Sequence, residues 1–288
     1  KLSGSDRCSR QAEGEHGRRP ARTVGSVHEK ALKSERESVT TYTVEKIRQV
    51  APGLEKPFQK ASFAANQHSL EGERAAVYLV LDRSGSMDWP GRRYYSDGAV
   101  QYFSERILGM APLFEDDGRV PVVFFDHELK GMDELSLEDY QGKIAKAHSK
   151  LGRMGGTDYA VAMDAVVAHY RSTGKSVPAL VIFQTDGSPK NKKAAARRIC
   201  QYAELPIFWQ FVGFGEDREY DEDDEDGLGF LQRLDDLPVP QYRPIDNCDF
   251  FPVGQDPTQM RDAELYRRLM GEFPGWLAKA RQMGIVHP

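Results

Sequence analysis

The sequence predicts a doubly wound α/β fold, a mostly parallel sheet with helices on both faces, and three observations carry that prediction. Four short apolar runs stand at 77–81, 120–125, 179–183 and 207–212. They are continuous rather than alternating, as strands buried on both faces of a parallel sheet should be. Helical spacing fills the stretches between them, and strands alternating with helices imply βαβ units.

Residues 1–40 are rich in Arg, Ser, Gly and Glu and nearly devoid of large apolar side chains. Such a segment buries too little surface to offset its ordering entropy, so it reads as a disordered tail. Residues 41–74 read as an N-terminal helical extension. Val44, Ile47, Val50 and Ala51, then Leu54, Phe58, Ala61 and Ala65, recur at helical spacing. Pro52-Gly53 divides them into two short amphipathic helices expected to pack on the main body. Residues 75–288 read as one α/β domain with C-terminal helices.

Within that domain the spacing of Val100, Phe103, Ile107 and Leu108 predicts a helix over 97–110. A shorter, weaker helix is expected over 137–151. Val161, Ala162, Ala165 and Val166 place another over 159–170, and an Ala/Arg-rich helix follows at 192–202. Pro121 stands at the start of its strand, where a missing N–H is tolerated. The run 216–226 holds nine carboxylates and one Arg, the signature of a solvated loop. A calcium-loop reading fails: with Gly227 at the required glycine, the position needing a bidentate Glu is Arg233. The tail at 262–284 divides into two helical pieces, with Pro274 in the first turn of the second and Gly284 as its C-cap.

Composition narrows the function. Lys and Arg number 39 against 44 Asp and Glu, giving a net charge of -5. That mild acidity argues against nucleic acid or an anionic membrane as the main partner. Hydrophobic residues make up 40%, enough for a substantial core, yet no stretch approaches the roughly 18 apolar residues of a membrane span. Three cysteines, Cys8, Cys200 and Cys248, lack zinc-ligand spacing. With a polar stretch over 1–39 that lacks a secretory pattern, they predict a reducing, cytoplasmic setting.

The strongest chemical signal is Asp82-Arg83-Ser84-Gly85-Ser86-Met87, directly after the first apolar run. An aspartate and two serines at alternate positions turn three oxygens toward one point at the carboxyl end of a strand, where open α/β sheets bind ligands. Such oxygens suit Mg²⁺, Mn²⁺ or Ca²⁺, not zinc or copper. Gly85 permits the tight turn. Two further pieces join it: Gly155-Gly156-Thr157-Asp158 before a helix, and Thr185-Asp186-Gly187 at the end of the third run. Each alone is a common turn; together, in this order and all at one edge of a parallel sheet, they are specific.

These residues resemble the metal-ion-dependent adhesion site of von Willebrand factor A (vWA) domains. The resemblance spans roughly 75–251 and places metal ligands at Asp82, Ser84, Ser86, Thr157 and Asp186, with no ligand missing. The runs AAVYLVLDRSGSM, GRMGGTDYAVAM, VIFQTDGSP and FWQFVGFG, with RLDDLPVP and EFPGWLAKAR, are similar to bacterial tellurium-resistance (TerF-like) vWA proteins. The resemblance implies that both serines bind the metal directly, that Thr157 joins when ligand is engaged, and that the aspartates act directly or through water. Only two charged ligands leave the metal a strong positive field and an open position for an Asp or Glu carboxylate of a partner protein. Other tellurium-resistance proteins are candidate partners. The chain is therefore expected to bind rather than to catalyse.

Two other readings compete. Asp82 stands where a phosphatase nucleophile would, but the acid/base position two residues on is Ser84, and His127 and His148 are expected to lie away from the motif. A structural scaffold with an unused metal site is the second. Nucleotide binding fails, because His169 stands where the first glycine of a phosphate loop before Gly174-Lys175-Ser176 should be. Single residues also carry expectations: Phe208, Trp209 and Phe211 read as core, and Cys200 and Cys248 as buried thiols. Arg83 and Arg153 flank the metal motifs and read either as contacts to an anionic ligand or as ordinary exposed arginines. Trp89 reads equally as a ligand-site rim or a loop shield.

Overall fold

The computed structural model describes residues 42–215 and 227–287. The expected disordered tail and the acidic run 216–226 lie outside the described residues. Two helices come first, α1 (Val44–Val50) and α2 (Glu55–Gln67). The α/β body follows as β1 (Ala76–Asp82), α3 (Ala99–Met110), β2 (Arg119–Phe125), β3 (Leu129–Ser136), α4 (Lys143–Lys150), α5 (Tyr159–Thr173), β4 (Ala179–Thr185), α6 (Lys192–Tyr202), β5 (Ile207–Gly213), α7 (Gly229–Asp235) and β6 (Cys248–Pro252). Helices α8 (Asp262–Leu269) and α9 (Phe273–Gln282) close the chain.

The six-stranded sheet has the order β3-β2-β1-β4-β5-β6. All pairs are parallel except β2–β3. The four runs read as buried strands are β1, β2, β4 and β5; every residue of β1, β4 and β5 is buried. Alternate residues feed two cores. Val77, Leu79, Leu81, Ile182 and Phe208 face α1–α3, α8 and α9 through Ile47, Phe58, Phe103, Leu265 and Trp276. Tyr78, Val80, Phe183, Trp209 and Phe211 face α5–α7 through Val166, Ile199 and Leu231. Burying side chains of this size contributes about 1.5–3 kcal/mol each.

Local chemistry explains the helix boundaries. Thr43 caps α1 by accepting from the Lys46 amide, Asp158 caps α5 by accepting from Ala160, and Asn191 caps α6 by accepting from Ala194. These side chains satisfy donors that have no partner within the helix. Helix α2 approaches α3 so closely that a Cβ on Gly109 would stand 2.7 Å from Pro57 Cβ.

The structure adds two strands to the sheet. β3 is an antiparallel edge strand whose charged Lys130, Asp133 and Glu134 suit an edge, and β6 closes the other side. The expected helix over 137–151 begins only at Lys143, because Gly142 (φ +66°) turns the chain first. Pro274 opens α9 and Gly284 (φ +71°) follows it.

Candidate metal centre

The sheet order reverses direction at β1: the chain builds outward through β2 on one side and through β4 on the other. The crevice above β1 and β4 is therefore the switch point at which open α/β sheets bind ligands. Leu81 pairs in register with Gln184, so Asp82 ends one strand beside Thr185, the end of the other. Asp82 is wholly buried. Its Oδ2 accepts from Thr185 Oγ1 at 2.6 Å and its Oδ1 from the Ser84 amide at 2.6 Å. Its carbonyl accepts from Tyr95 OH at 2.9 Å.

The loop after β1 then turns outward. Ser84 bridges Gly155, and the Gly85 amide donates to the Gly155 carbonyl at 2.8 Å. Ser84 Oγ and Ser86 Oγ are 3.0 Å apart, and Ser86 Oγ donates to Asp186 Oδ1 at 2.7 Å. The structure thus joins Asp82, Ser84, Ser86 and Asp186 at one point. Thr157 faces the same cleft, a space of about 500 Å³ lined also by Ser84, Ser86, Trp89, Arg92 and Lys190. The Thr157 carbonyl accepts from the Lys190 amide at 3.0 Å, which ties the threonine loop to the segment after Asp186.

The electrostatics favour a cation. Burial and the neighbouring Asp186 push the Asp82 carboxyl up to about 7, against the lowering effect of the Thr185 and Ser84 hydrogen bonds. Burial also raises Asp186, opposed by Ser86 and Arg92. Arg92 Nη1 stands 3.7 Å from Asp186 Oδ2, and that buried oxygen has no hydrogen-bond partner. Two repelling carboxylates, one of them with an unsatisfied oxygen, and two hydroxyls form a donor set that fits a hard divalent ion.

Several sequence expectations are corrected here. His127 is not remote: a Cβ on Gly155 would overlap its Nδ1 and lie 2.8 Å from Asp126 Oδ2. His148 is also close. It stacks on Tyr95 at 4.0 Å and accepts from Arg83 Nε at 3.2 Å, and burial with the Arg83 charge lowers its pKa. Arg83 does not face an anion. It is buried and clamps the loop before Gly155 through the carbonyls of Leu151 at 3.3 Å, Arg153 at 3.2 Å and Gly152. Arg153 itself is exposed. Trp89 is 68% exposed and lines the cleft, which favours the rim reading. Phe208, Trp209 and Phe211 are core; Cys248 is buried, Cys200 only partly.

Tyr95, Arg92 and Lys190 are site residues that the sequence does not mark, and the sequence names Thr185 only as part of the Asp186 turn, without its bond to Asp82. Thr185 had a visible signal, standing next to Asp186 at a strand end. The others reach the site from loops with no spacing to mark them. Asp126, His127 and Glu128 also bring ligand atoms together beside the cleft, but Lys130 already pairs with Asp126 at 3.1 Å and with Glu128 at 2.8 Å.

A parallel sheet with one antiparallel edge, helices on both faces and an Asp-x-Ser-x-Ser loop at its switch point define a von Willebrand factor A domain. The chain belongs to the vWA-TerF-like family, the vWA found in the TerF C terminus, whose model matches residues 74–286. It is 35% identical over 216 residues to the uncharacterized protein YcbR of Bacillus subtilis (strain 168), covering 74% of this chain and 81% of that one. Among solved structures it is similar to a von Willebrand factor type A protein from Catenulispora acidiphila, at 20% identity and TM-score 0.44, over 70% of this chain and 43% of that chain. A manganese-loaded TRAP protein of Plasmodium vivax aligns at 16% identity and TM-score 0.41, over 69% and 74%. No helix among the described residues is long and apolar enough to cross a membrane.

Proposed function

We propose that this chain is a divalent-metal-dependent protein-binding module, not an enzyme, serving a bacterial stress or tellurium-resistance system. The observation that carries this reading is the hydrogen-bonded set Asp82–Ser84–Ser86–Asp186 at the floor of a cleft, with Thr157 on its wall. Asp82, Ser84, Ser86, Thr157 and Asp186 would hold Mg²⁺, or Mn²⁺ or Ca²⁺, since all five offer oxygen. When bound, the cation supplies a positive, open position for an Asp or Glu carboxylate of the partner. Thr185 and Tyr95 hold Asp82 in place, and Arg83 fixes the loop that carries Thr157. Arg92 and Lys190 add positive charge to the rim, and Trp89 adds an apolar surface beside it. The TerF-like family suggests tellurium-resistance proteins as the first partners to try.

The test is metal-dependent association. Mg²⁺ raises the melting temperature of the wild type, and Ser86→Ala and Asp186→Ala abolish that rise. A bound partner is released by EDTA and by neutralising its own acidic residue. A metal response unchanged in both variants would remove the assignment.

A further inference from the structure

The cleft above Asp82 offers more charge and more room than one carboxylate can use. Just after Ser86 the chain forms a short antiparallel hairpin, in which Trp89 pairs with Arg92 across the Pro90-Gly91 turn. Residues directly opposite in such a pair project on the same side, and both line the cleft. The base of the hairpin is anchored. The Tyr94 amide donates to the Met87 carbonyl at 3.0 Å, and the Asp88 carboxylate accepts from the Ser96 amide at 3.1 Å and hydroxyl at 2.6 Å. An exposed indole and a half-exposed guanidinium are thus presented together on a fixed support.

The threonine loop carries a second cation. The Lys190 side chain runs over Gly156, where a Cβ would stand 2.7 Å from its Cε and 2.9 Å from its Nζ. No carboxylate among the described residues pairs with Lys190. Arg92 and Lys190 are the two charged side chains in the lining. Nearby carboxylates are committed elsewhere, Asp158 to the cap of α5 and Asp126 to Lys130.

These charges can be counted. Arg92 and Lys190 balance Asp82 and Asp186, which are both ionised when they hold a metal. A divalent ion then leaves two positive charges facing the cleft. One carboxylate neutralises one of them, and a second anion gains from the other. The guanidinium of Arg92 is shaped for it, since its planar fork takes a carboxylate through two parallel hydrogen bonds. Volume agrees: about 500 Å³ is many times the ~30 Å³ of a water-sized group, and Trp89 and Pro90 give the remainder an apolar wall.

We propose that the partner docks through a pair of acidic residues close in sequence, one carboxylate on the metal and the second on Arg92 with Lys190 beside it, next to an apolar side chain against Trp89. Such recognition presupposes the metal-dependent reading above and adds to it the chemistry of the partner segment.

The experiment pans a phage-displayed library of random peptides on the Mg²⁺-loaded full chain, elutes with EDTA, and titrates the selected peptide by fluorescence anisotropy. The expected consensus holds two Asp or Glu within about three positions, roughly 10 Å of extended chain, and an aromatic or aliphatic residue beside them. Changing the second acid to its amide weakens binding to the wild type about fivefold, as expected of a half-exposed charge-assisted pair, and leaves binding to Arg92→Gln unaffected. Lys190→Gln also weakens the peptide, a second arm that does not depend on the fold of Arg92→Gln. Arg92→Gln enlarges the Mg²⁺ melting shift, because it removes a positive charge 3.7 Å from Asp186; a merely structural Arg92 would shrink it. A consensus with one acid, or equal losses in wild type and Arg92→Gln, overturns the motif and leaves the metal-dependent module standing. Tighter binding by a peptide with one phosphoserine in place of the pair overturns it in favour of phosphate. A library that yields no EDTA-released peptide overturns it too, and the Mg²⁺ melting shift then decides whether the metal-dependent reading falls with it.

Discussion

Asp82→Asn separates the electrostatic cost of the metal centre from its packing. In the wild type the Asp82 carboxyl moves from an ordinary value near 4 to about 7 on folding, because it is buried beside Asp186. Folding therefore favours the protonated acid. Below about pH 4 the folded and unfolded chains both hold that proton, and nothing is lost. As pH rises from about 4 to about 7 the unfolded chain releases it first, and stability falls across that window. The full displacement corresponds to roughly 4 kcal/mol. Asparagine removes the charge and keeps the shape. Its carbonyl can still accept from the Ser84 amide, while its NH₂ faces Thr185, whose hydroxyl can turn to the Gly187 carbonyl 3.2 Å away. Allowing about 1 kcal/mol for each rearranged hydrogen bond, a net gain of about 1–3 kcal/mol remains at pH 8 without metal. For a chain of this size that is a rise of about 3–10 °C in melting temperature. The assay is thermal melting in EDTA from pH 5 to 8, repeated with Mg²⁺. The gain should grow with pH, and Mg²⁺ should stabilise only the wild type. A loss of stability independent of pH, or an equal Mg²⁺ response in both proteins, would refute the reasoning.

Thr157→Ala should weaken partner binding about tenfold or more, from the loss of a contact worth about 1–3 kcal/mol, and should lower metal affinity less; titrating partner against both proteins measures it. Arg83→Met should destabilise by about 3 kcal/mol, because several loop carbonyls lose a buried donor, and denaturant melts report it. Gly155→Ala should cost about 1–3 kcal/mol by crowding His127 and Asp126 and should blunt the Mg²⁺ melting shift by moving the Thr157 loop. Phosphate monoesters should not turn over. With His127 beside the cleft, metal-dependent hydrolysis lost in Asp82→Asn would favour an enzyme.

The fold was legible where burial is two-sided. β1, β4 and β5 announce themselves because both faces of each strand need apolar residues. β3 was not legible: Lys130, Asp133 and Glu134 are charges that only an edge strand tolerates, and in sequence they look like a loop. The group at Asp82, Ser84 and Ser86 was legible because its spacing is local. The Arg83 clamp was not, since its carbonyl partners lie about seventy residues on and belong to a loop with no pattern of its own. His127 was misplaced for the same reason, as only the pairing of β2 with β1 brings the end of β2 beside Gly155.

The family match begins at residue 74, after α1 and α2, yet those helices and the turn between them bury Ile47, Leu54, Phe58 and Ala61 in the same core as β1. Homology and folding thus draw the edge of the domain in different places. A gene fragment trimmed to the matched segment would carry a raw apolar scar across α3 and α8 into water. Such a fragment should collect in inclusion bodies, while one beginning near Tyr42 should remain in solution. Anyone expressing this module alone should let the packing, rather than the alignment, choose the first codon.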